Sequence, residues 1–326
     1  MDLSQTKSRV VGVDISQERT TFAIVDVRGN IIAQDSFSTL DFPDLNKFIT
    51  ELCDRIMRLV KSNGGYESIH SIGISSPSGN VMTNSIENSP NLPWKGIIPL
   101  AAMIRDRMAL AVALANDVHT SALGEWAYGA AHGMRDFAVV HLGNGVGGCL
   151  FSNGHEHLGF HGFGGELGHS CVVDGGRLCN CGLHGCLEAY TSTRGIIQTA
   201  HEVLAESSEP SLMRDMKELN PITITDACNQ GDALAIEVYR RTGRILGLSL
   251  ANYATLVDPE AIILIGGITL AGEWLLKPTI ESFDEHVFGN IRGKVKLLLS
   301  KLTNEERDVL GASALAWEVK EYSLFK

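Results

Sequence analysis

One pattern occurs twice along this chain, and it limits the folds open to it. Val10–Asp14 and Thr20–Asp26 are apolar runs of strand length, and Val27-Arg-Gly-Asn30 supplies a turn before Ile31–Asp35. About 125 residues later, Phe137–Leu142 and Cys149–Ser152 flank the loop Gly143–Gly148, and Asn153-Gly154 gives a favoured hairpin turn. Strand, loop, strand, turn, strand is thus repeated, and helical periodicity follows each copy. Two similar halves of βββα type in 326 residues point to two α/β domains facing each other across a cleft.

The remaining elements fit that plan. Phe48, Ile49, Leu52, Ile56, Leu59 and Val60 recur at helical spacing, from a cap at Asp41 or Asp44 to a stop at Asn63-Gly-Gly65. Ser68–Ser75 reads as a buried strand and Ile97–Met108 as a helix. The strand Ala111–Ala115 runs into Asn116-Asp117, with a helix over Ser121–Ala130. Beyond residue 190 the pattern is mainly helical, at Arg194–Ser207, Thr223–Gln230 and Asp232–Ala254. One buried strand, Ala261–Ile265, ends in Gly266-Gly267, and a last helix covers Glu306–Tyr322.

Charge and composition narrow the partners. With 27 basic and 38 acidic residues the net charge is -11, which argues against a nucleic-acid or anionic-membrane surface. Met1–Arg9 is polar and lacks an apolar core, and no run approaches the roughly 20 apolar residues of a spanning helix. A cytoplasmic protein is expected. Glycine stands out, at 34 of 326 residues, or about 10% against an average near 7%.

Of the seven cysteines, Cys171, Cys179, Cys181 and Cys186 fall within sixteen positions. Such clustering in a chain without an export signal favours a metal over disulfides. His169, Cys179, Cys181 and Cys186 give the spacing H-x9-C-x-C-x4-C, suited to a closed tetrahedral structural zinc site. Cys171 and His184 are substitute ligands, and buried free thiols beside a core histidine are the bland alternative.

Asn116-Asp117 stands where a strand gives way to a helix, a position at which α/β proteins place ligands. A helix cap uses the same residue types. Glu166 and Glu188 bracket the cysteine cluster, so a metal-clamped loop would present two carboxylates and an imidazole. With the amides of Asn80, Asn91 and Asn116 and the loop at Gly79, these suit a polyhydroxylated ligand. Gly143, Gly145 and Gly148 fit G-x-G-x-x-G, but a strand follows rather than a helix, so a dinucleotide fingerprint fails. A hairpin whose glycines expose N–H groups is instead an anion nest suited to phosphate.

Together Asp14, Gly143-Asn144-Gly145, Glu166-x-Gly168-His169, the Cys179–Glu188 segment and Gly266-Gly267 resemble the ROK family of bacterial sugar kinases and repressors. Asn91–Gly96 and Val309–Leu315 are most similar to its Bacteroidetes glucokinases. The resemblance implies a two-domain actin/hexokinase-like (ribonuclease H-like) ATPase fold with a central cleft. Residues 1–117 would form one domain, with 306–326 packing back on it, and 118–305 the other. It further implies ATP-dependent phosphorylation of a hexose or N-acetylhexosamine at the 6-hydroxyl. Asp117 matches the general base, and Asn116, Glu166, His169 and Glu188 match sugar ligands. His169 would serve zinc and sugar through different ring nitrogens. Asp14 matches the Mg²⁺-side aspartate, while the glycine motifs match the nucleotide side. A homodimer or homotetramer is implied as well.

The first phosphate loop departs from the family pattern Asp-x-Gly-Gly-Thr-Lys, reading Asp14-Ile-Ser16-Gln17-Glu18-Arg19. A carboxylate about 4 Å from a phosphate oxygen costs on the order of 1–4 kcal/mol, which Arg19 or Mg²⁺ would have to offset. The alternative is a weakly active or non-catalytic sugar-binding regulator. About nine residues precede the first strand, too few for a repressor's helix-turn-helix, so DNA binding is not expected.

Overall fold

The computed structural model describes residues 7–161 and 163–319. They divide into two compact units, one made of the described residues 7–133 and 301–319, the other of those from 134 to 300.

In the first unit, β1 (Arg9–Ile15), β2 (Arg19–Asp26) and β3 (Ile31–Ser38) form an antiparallel meander. The helix α1 (Leu45–Ser62) starts on Asp44, whose carboxylate accepts from the Lys47 amide at 2.9 Å, and stops at Asn63. β4 (Ile69–Ser75) pairs parallel to β1. A small antiparallel sheet follows, built from β5 (Gly79–Asn80), β6 (Ser85–Glu87) and β7 (Ile97–Ile98). The expected helix over Ile97–Met108 is therefore shortened to α2 (Leu100–Met108). Pro99 disfavours helical backbone at the residue before it, and Ile97 and Ile98 pair with Glu87 and Ile86 instead. β8 (Ala111–Ala115) runs parallel to β4 and leads into α3 (Asp117–Tyr128). The main sheet has the order β3-β2-β1-β4-β8.

The second unit repeats this topology. β9 (Phe137–Leu142), β10 (Val146–Ser152) and β11 (His155–Glu156) form a meander. Its turn at Asn153-Gly154 has φ values of 55° and 79°, as a type I′ hairpin requires. The short α4 (Glu188–Thr191) precedes α5 (Thr193–Glu206), α6 (Pro221–Asn229) and α7 (Ala233–Val257). β12 (Ala261–Ile265), α8 (Glu273–His286) and β13 (Lys296–Leu299) complete it. Its sheet order, β11-β10-β9-β12-β13, is the first unit's order with the same pairing senses. Neither α8 nor β13 is apparent in the sequence. Pro278 interrupts the α8 periodicity yet is accommodated, packing where a Cβ on Gly243 of α7 would come within 2.7 Å of its ring.

The chain then returns to the first unit as α9 (Asn304–Glu318). The compact units divide at residues 133/134 and 300/301, so that α3 and residues 301–305 go with the first unit. The reason is that α3 packs on α9 and stays with it. That packing is backbone against backbone. A Cβ on Gly12 of β1 would lie 2.3 Å from the Val309 carbonyl, and one on Gly73 of β4 2.0 Å from that of Ala312. One on Gly311 would lie 2.3 Å from the Thr120 carbonyl of α3. Ser71 of β4 donates to the Ala316 carbonyl at 2.6 Å. Positions 320–322 of the expected helix, and the rest of the chain to 326, lie outside the described residues.

Because carbonyl oxygens cannot move aside as a flexible side chain can, Gly73→Ala should destabilise the first unit by about 1–3 kcal/mol. Thermal unfolding followed by circular dichroism should show a lowered midpoint. Gly289→Ala, where an added Cβ meets nothing within 4 Å, should leave it unchanged.

Candidate active site

In the first unit the site grows from the ends of three parallel strands. β8 ends at Ala115, Asn116 caps α3 by accepting from the Val118 amide at 2.9 Å, and Asp117 opens the helix. The Asp117 carboxylate also accepts from Val118 N at 2.9 Å. Both residues of the pair thus serve the cap through their side chains. Gly79 lies flat against this junction, since a Cβ there would be 2.4 Å from the Ala115 carbonyl. Asn80 is committed within the small sheet, its amide donating to Glu87 at 3.0 Å and its carbonyl accepting from Met82 N at 2.9 Å. Asn91 is exposed, on a loop anchored by the buried Trp94, whose indole donates to the Phe42 carbonyl at 3.1 Å.

Asp14 stands at the end of β1, and its carboxylate accepts a hydrogen bond from Ser75. Burial pushes its pKa well above the ordinary carboxylate value, and the charges of Asp308 and Asp117 add to that rise. Asp308 on α9 is likewise pushed up, to about 6, chiefly by burial, with Arg307 opposing and Asp117 reinforcing the shift. Three carboxylates therefore gather here, and the sequence reading missed Asp308. The clue was present: it lies four residues before Ala312, on the face of α9 that the small residues press against the sheet.

The departing loop folds without its glycines. Ser16 N donates to the Arg19 carbonyl at 2.9 Å, and Ser16 Oγ accepts from Arg19 N at 3.2 Å. Gln17 and Glu18 then form an exposed tip, neither at positive φ. Arg19 donates to Ser36 at 2.8 Å and lines a cavity of about 640 Å³ with Asp14, Ser16, Thr21, Gln34 and Asp308.

In the second unit Gly143-Asn144-Gly145 joins β9 to β10. Gly266, at φ 96°, packs against it, because a Cβ there would be 2.3 Å from the Leu142 carbonyl. Gly267 meets nothing within 4 Å, and Asn144 is exposed. The two glycine motifs thus meet at the ends of the adjacent parallel strands β9 and β12. One amide beside this loop already holds a carboxylate: Val146 N donates to Glu188 at 3.0 Å, while Gly143 N donates to the Gly145 carbonyl at 3.0 Å.

The same Glu188 carboxylate reaches the cysteine cluster, 3.7 Å from Cys179 Sγ. The side-chain donors of His169, Cys179, Cys181 and Cys186 lie within 4.8 Å of one another. Cys181 Sγ is 3.7 Å from Cys186 Sγ, and Cys179 Sγ is 3.8 Å from His169 Nδ1. Metal–sulfur bonds of 2.3 Å at tetrahedral angles give edges of about 3.8 Å, so the set fits zinc in spacing and chemistry. Burial pushes the Cys186 thiol up to about 12, and a bound cation is what would hold it as thiolate. His169 turns Nε2 toward Glu166, 3.9 Å away. Cys171 and His184 stand outside the quartet; His184 Nδ1 is 3.0 Å from the Gly176 carbonyl. Gly185, at φ 78°, is required by the fold of this loop, since a Cβ would strike the Val173 carbonyl at 1.8 Å. Arg177 ties the loop to α5, donating to the Ala189 and Gly195 carbonyls, Thr199 and Glu202 while stacking on Tyr190.

A family model described as the ROK family matches residues 10–319. The chain belongs to the ROK family. Among its ROK relatives, the glucokinase of Halalkalibacterium halodurans is 31% identical over 317 residues, 95% of this chain and 94% of that protein. The N-acetylglucosamine repressor of Escherichia coli O157:H7 is 28% identical over 94% of this chain and 74% of its own length. The crystal structure of a ROK glucokinase from Streptomyces griseus with glucose and AMPPNP superposes with a TM-score of 0.77 at 28% identity, over 95% of this chain and all of that one. The actin/hexokinase-like fold of ROK kinases is therefore the fold of this chain. Among the described residues no helix is long and apolar enough to cross a membrane.

A carboxyl whose folded-state pKa is raised makes the folded state less stable as pH climbs from its unfolded value toward the raised one. Asp308→Asn should accordingly raise the thermal midpoint at pH 7–8, with the gain fading as pH falls from about 6 toward 4. A pH series of melting curves reads this directly.

Proposed function

We propose that this chain is an ATP-dependent hexose kinase that transfers the terminal phosphate to the sugar 6-hydroxyl. The observation that carries the reading is Asp117, set by the Asn116 cap at the mouth of β8 in a chain 31% identical to a glucokinase over nearly its whole length. Asp117 takes the hydroxyl proton as general base. Asn116, Gly79 and Asn91 bind hexose hydroxyls from the first unit; Asn80 supports the loop rather than the sugar, since its amide is already engaged. In the second unit Glu166, His169 and Glu188 bind hexose, with His169 offering Nε2 while Nδ1 faces the thiols.

On the nucleotide side, Asp14, Gly143, Asn144, Gly145, Gly266 and Gly267 receive ATP. Mg²⁺ bound with ATP would supply positive charge against the phosphates, and Arg19 adds a cation beside Asp14 in place of the family's lysine. His169, Cys179, Cys181 and Cys186 hold a structural zinc that keeps Glu188 and Glu166 in place. The protein works in the cytoplasm, where its thiols stay reduced, as a homodimer or homotetramer.

A second reading, a sugar-binding regulator with little phosphotransfer, draws on Glu18 at the position of the family's loop threonine and on the similarity to repressors. One assay separates the two. ADP release coupled to phosphorylation of glucose, N-acetylglucosamine, N-acetylmannosamine, fructose and allose should show turnover on at least one. Sugar binding without turnover on any of them favours the regulator. Asp117→Asn should lower kcat at least a hundredfold, on the scale of general-base loss, with hexose affinity preserved by calorimetry. Elemental analysis should find about one zinc per chain, and strong chelation or Cys186→Ser should remove it and loosen the loop; a folded, metal-free protein would refute the zinc assignment.

A further inference from the structure

Two buried hydroxyls outside the roles assigned above connect the carboxylates of the first unit. Ser75 is the last residue of β4 and pairs in register with Asp14 of β1 on one side and Ala115 of β8 on the other. Its side chain is fully buried, as is that of Thr120 in the first turn of α3. Thr120 Oγ1 donates to Ser75 Oγ at 3.0 Å, a bond between elements 45 residues apart in sequence. The same hydroxyl lies 3.0 Å from the Asp117 carbonyl, so its single proton is shared between the two acceptors. Ser75, with its oxygen occupied as acceptor, has its own proton left for Asp14, its register partner on β1. The chain of hydroxyls thus leads from Thr120 through Ser75 to Asp14.

Packing alone does not ask for hydroxyls here. Along one face of β4, Gly73 is pressed by the Ala312 carbonyl of α9 and Ser71 bonds to the Ala316 carbonyl, and Ser75 follows on the same face. Alanine at 75 and valine at 120 are close in size to the residues present and would lack only the hydroxyl bonds. What the hydroxyls add is direction. One carboxylate oxygen of Asp14 is fixed from behind, and the turn that presents Asp117 is tied to the strand beside it. A burial of this kind costs free energy unless every group is bonded, and here each hydroxyl both donates and accepts or shares.

We propose that Ser75 and Thr120 are positioning residues for phosphoryl transfer, a hydroxyl relay that sets Asp14 on the nucleotide side and Asp117 on the sugar side at a fixed spacing. This rests on the kinase reading for the role of Asp117. Neither residue touches substrate; each acts through the carboxylate that it orients.

The test uses Thr120→Val, Thr120→Ser and Ser75→Ala in the full chain, with steady-state kinetics on the best hexose, calorimetric titration with Mg·ATP and a melting curve for each. Thr120→Val should lower kcat about tenfold, within the loss expected when reacting groups are misplaced by a fraction of an ångström, while hexose KM stays within twofold. Thr120→Ser should keep kcat within twofold of the parent, because the hydroxyl is retained. Ser75→Ala should lower kcat and also weaken Mg·ATP about tenfold. Parental kcat in Thr120→Val, or equal impairment in Thr120→Ser and Thr120→Val, overturns the relay in favour of packing. If Thr120→Val does not fold, Ser75→Ala and Thr120→Ser decide by the same criteria. A parent chain that binds Mg·ATP without turnover on any hexose sinks the kinase reading alone; the relay then stands or falls on whether Ser75→Ala weakens ATP. A parent that neither turns over nor binds ATP overturns both.

Discussion

The first unit depends on α9 lying directly on the backbones of β1, β4 and α3. Gly12 and Gly73 on the sheet, Gly124 on α3 and Gly311 on α9 remove the side chains that would hold these elements apart. At these glycines the helix axis comes closer than larger residues would allow, with Val309 and Leu310 filling the space beside them against Val10 and Val25. This contact brings the last described stretch of the chain into a unit whose other residues end near position 133. It also buries Arg307 beside the fully buried Glu125, 3.8 Å apart, charges that burial tolerates only as partners.

The seating of α9 has a chemical consequence. It carries Asp308 up to Asp14 and, with α3, places Asp117 in the same neighbourhood. Burial first, and the neighbouring carboxylates after it, raise the pKa of Asp14 and Asp308, so the apo protein pays in stability for a site that a cation would relieve. The Ser16–Arg19 hairpin beside it shows that the loop does not need glycine in order to close. Glycine in such a loop serves the approach of phosphate, and its loss leaves Arg19 and the carboxylates to define that side of the cavity.

In the second unit one side chain joins two motifs that the sequence presents separately. Glu188 accepts from the amide after the glycine loop and stands beside Cys179 of the quartet. The loop's backbone is also held by Thr193, which donates to the Gly143 carbonyl at 2.9 Å. Arg177, bonded to two carbonyls and Glu202 and stacked on Tyr190, fixes the far side of the cysteine loop. The carboxylate and imidazole proposed to meet the sugar are thus carried by a segment braced at both ends.

Much of this was legible in the sequence, because it rests on local physics. The repeated meander follows from apolar runs and an Asn-Gly turn, and the sheet order 3-2-1-4-5 recurs in both units. The metal quartet follows from donor spacing, and Asn116-Asp117 from the strand–helix junction. The misses share a different cause. Pro99 moved Ile97 and Ile98 into a sheet, Pro278 hid a helix, and Asn80 found a partner in Glu87. Asp308, Ser75 and Thr120 became visible only when three elements distant in sequence were brought into contact. The sequence by itself determined the two meanders, most of the helices and the clustering of His169, Cys179, Cys181 and Cys186, since spacing within one segment sets these. Tertiary structure decided where the units divide, which carboxylates share a site and which polar groups are already satisfied. Those depend on desolvation and on which residues the fold brings together, from Asn80 and Glu87 seven positions apart to Asp14 and Asp308 near opposite ends of the chain, which no pattern within one element encodes.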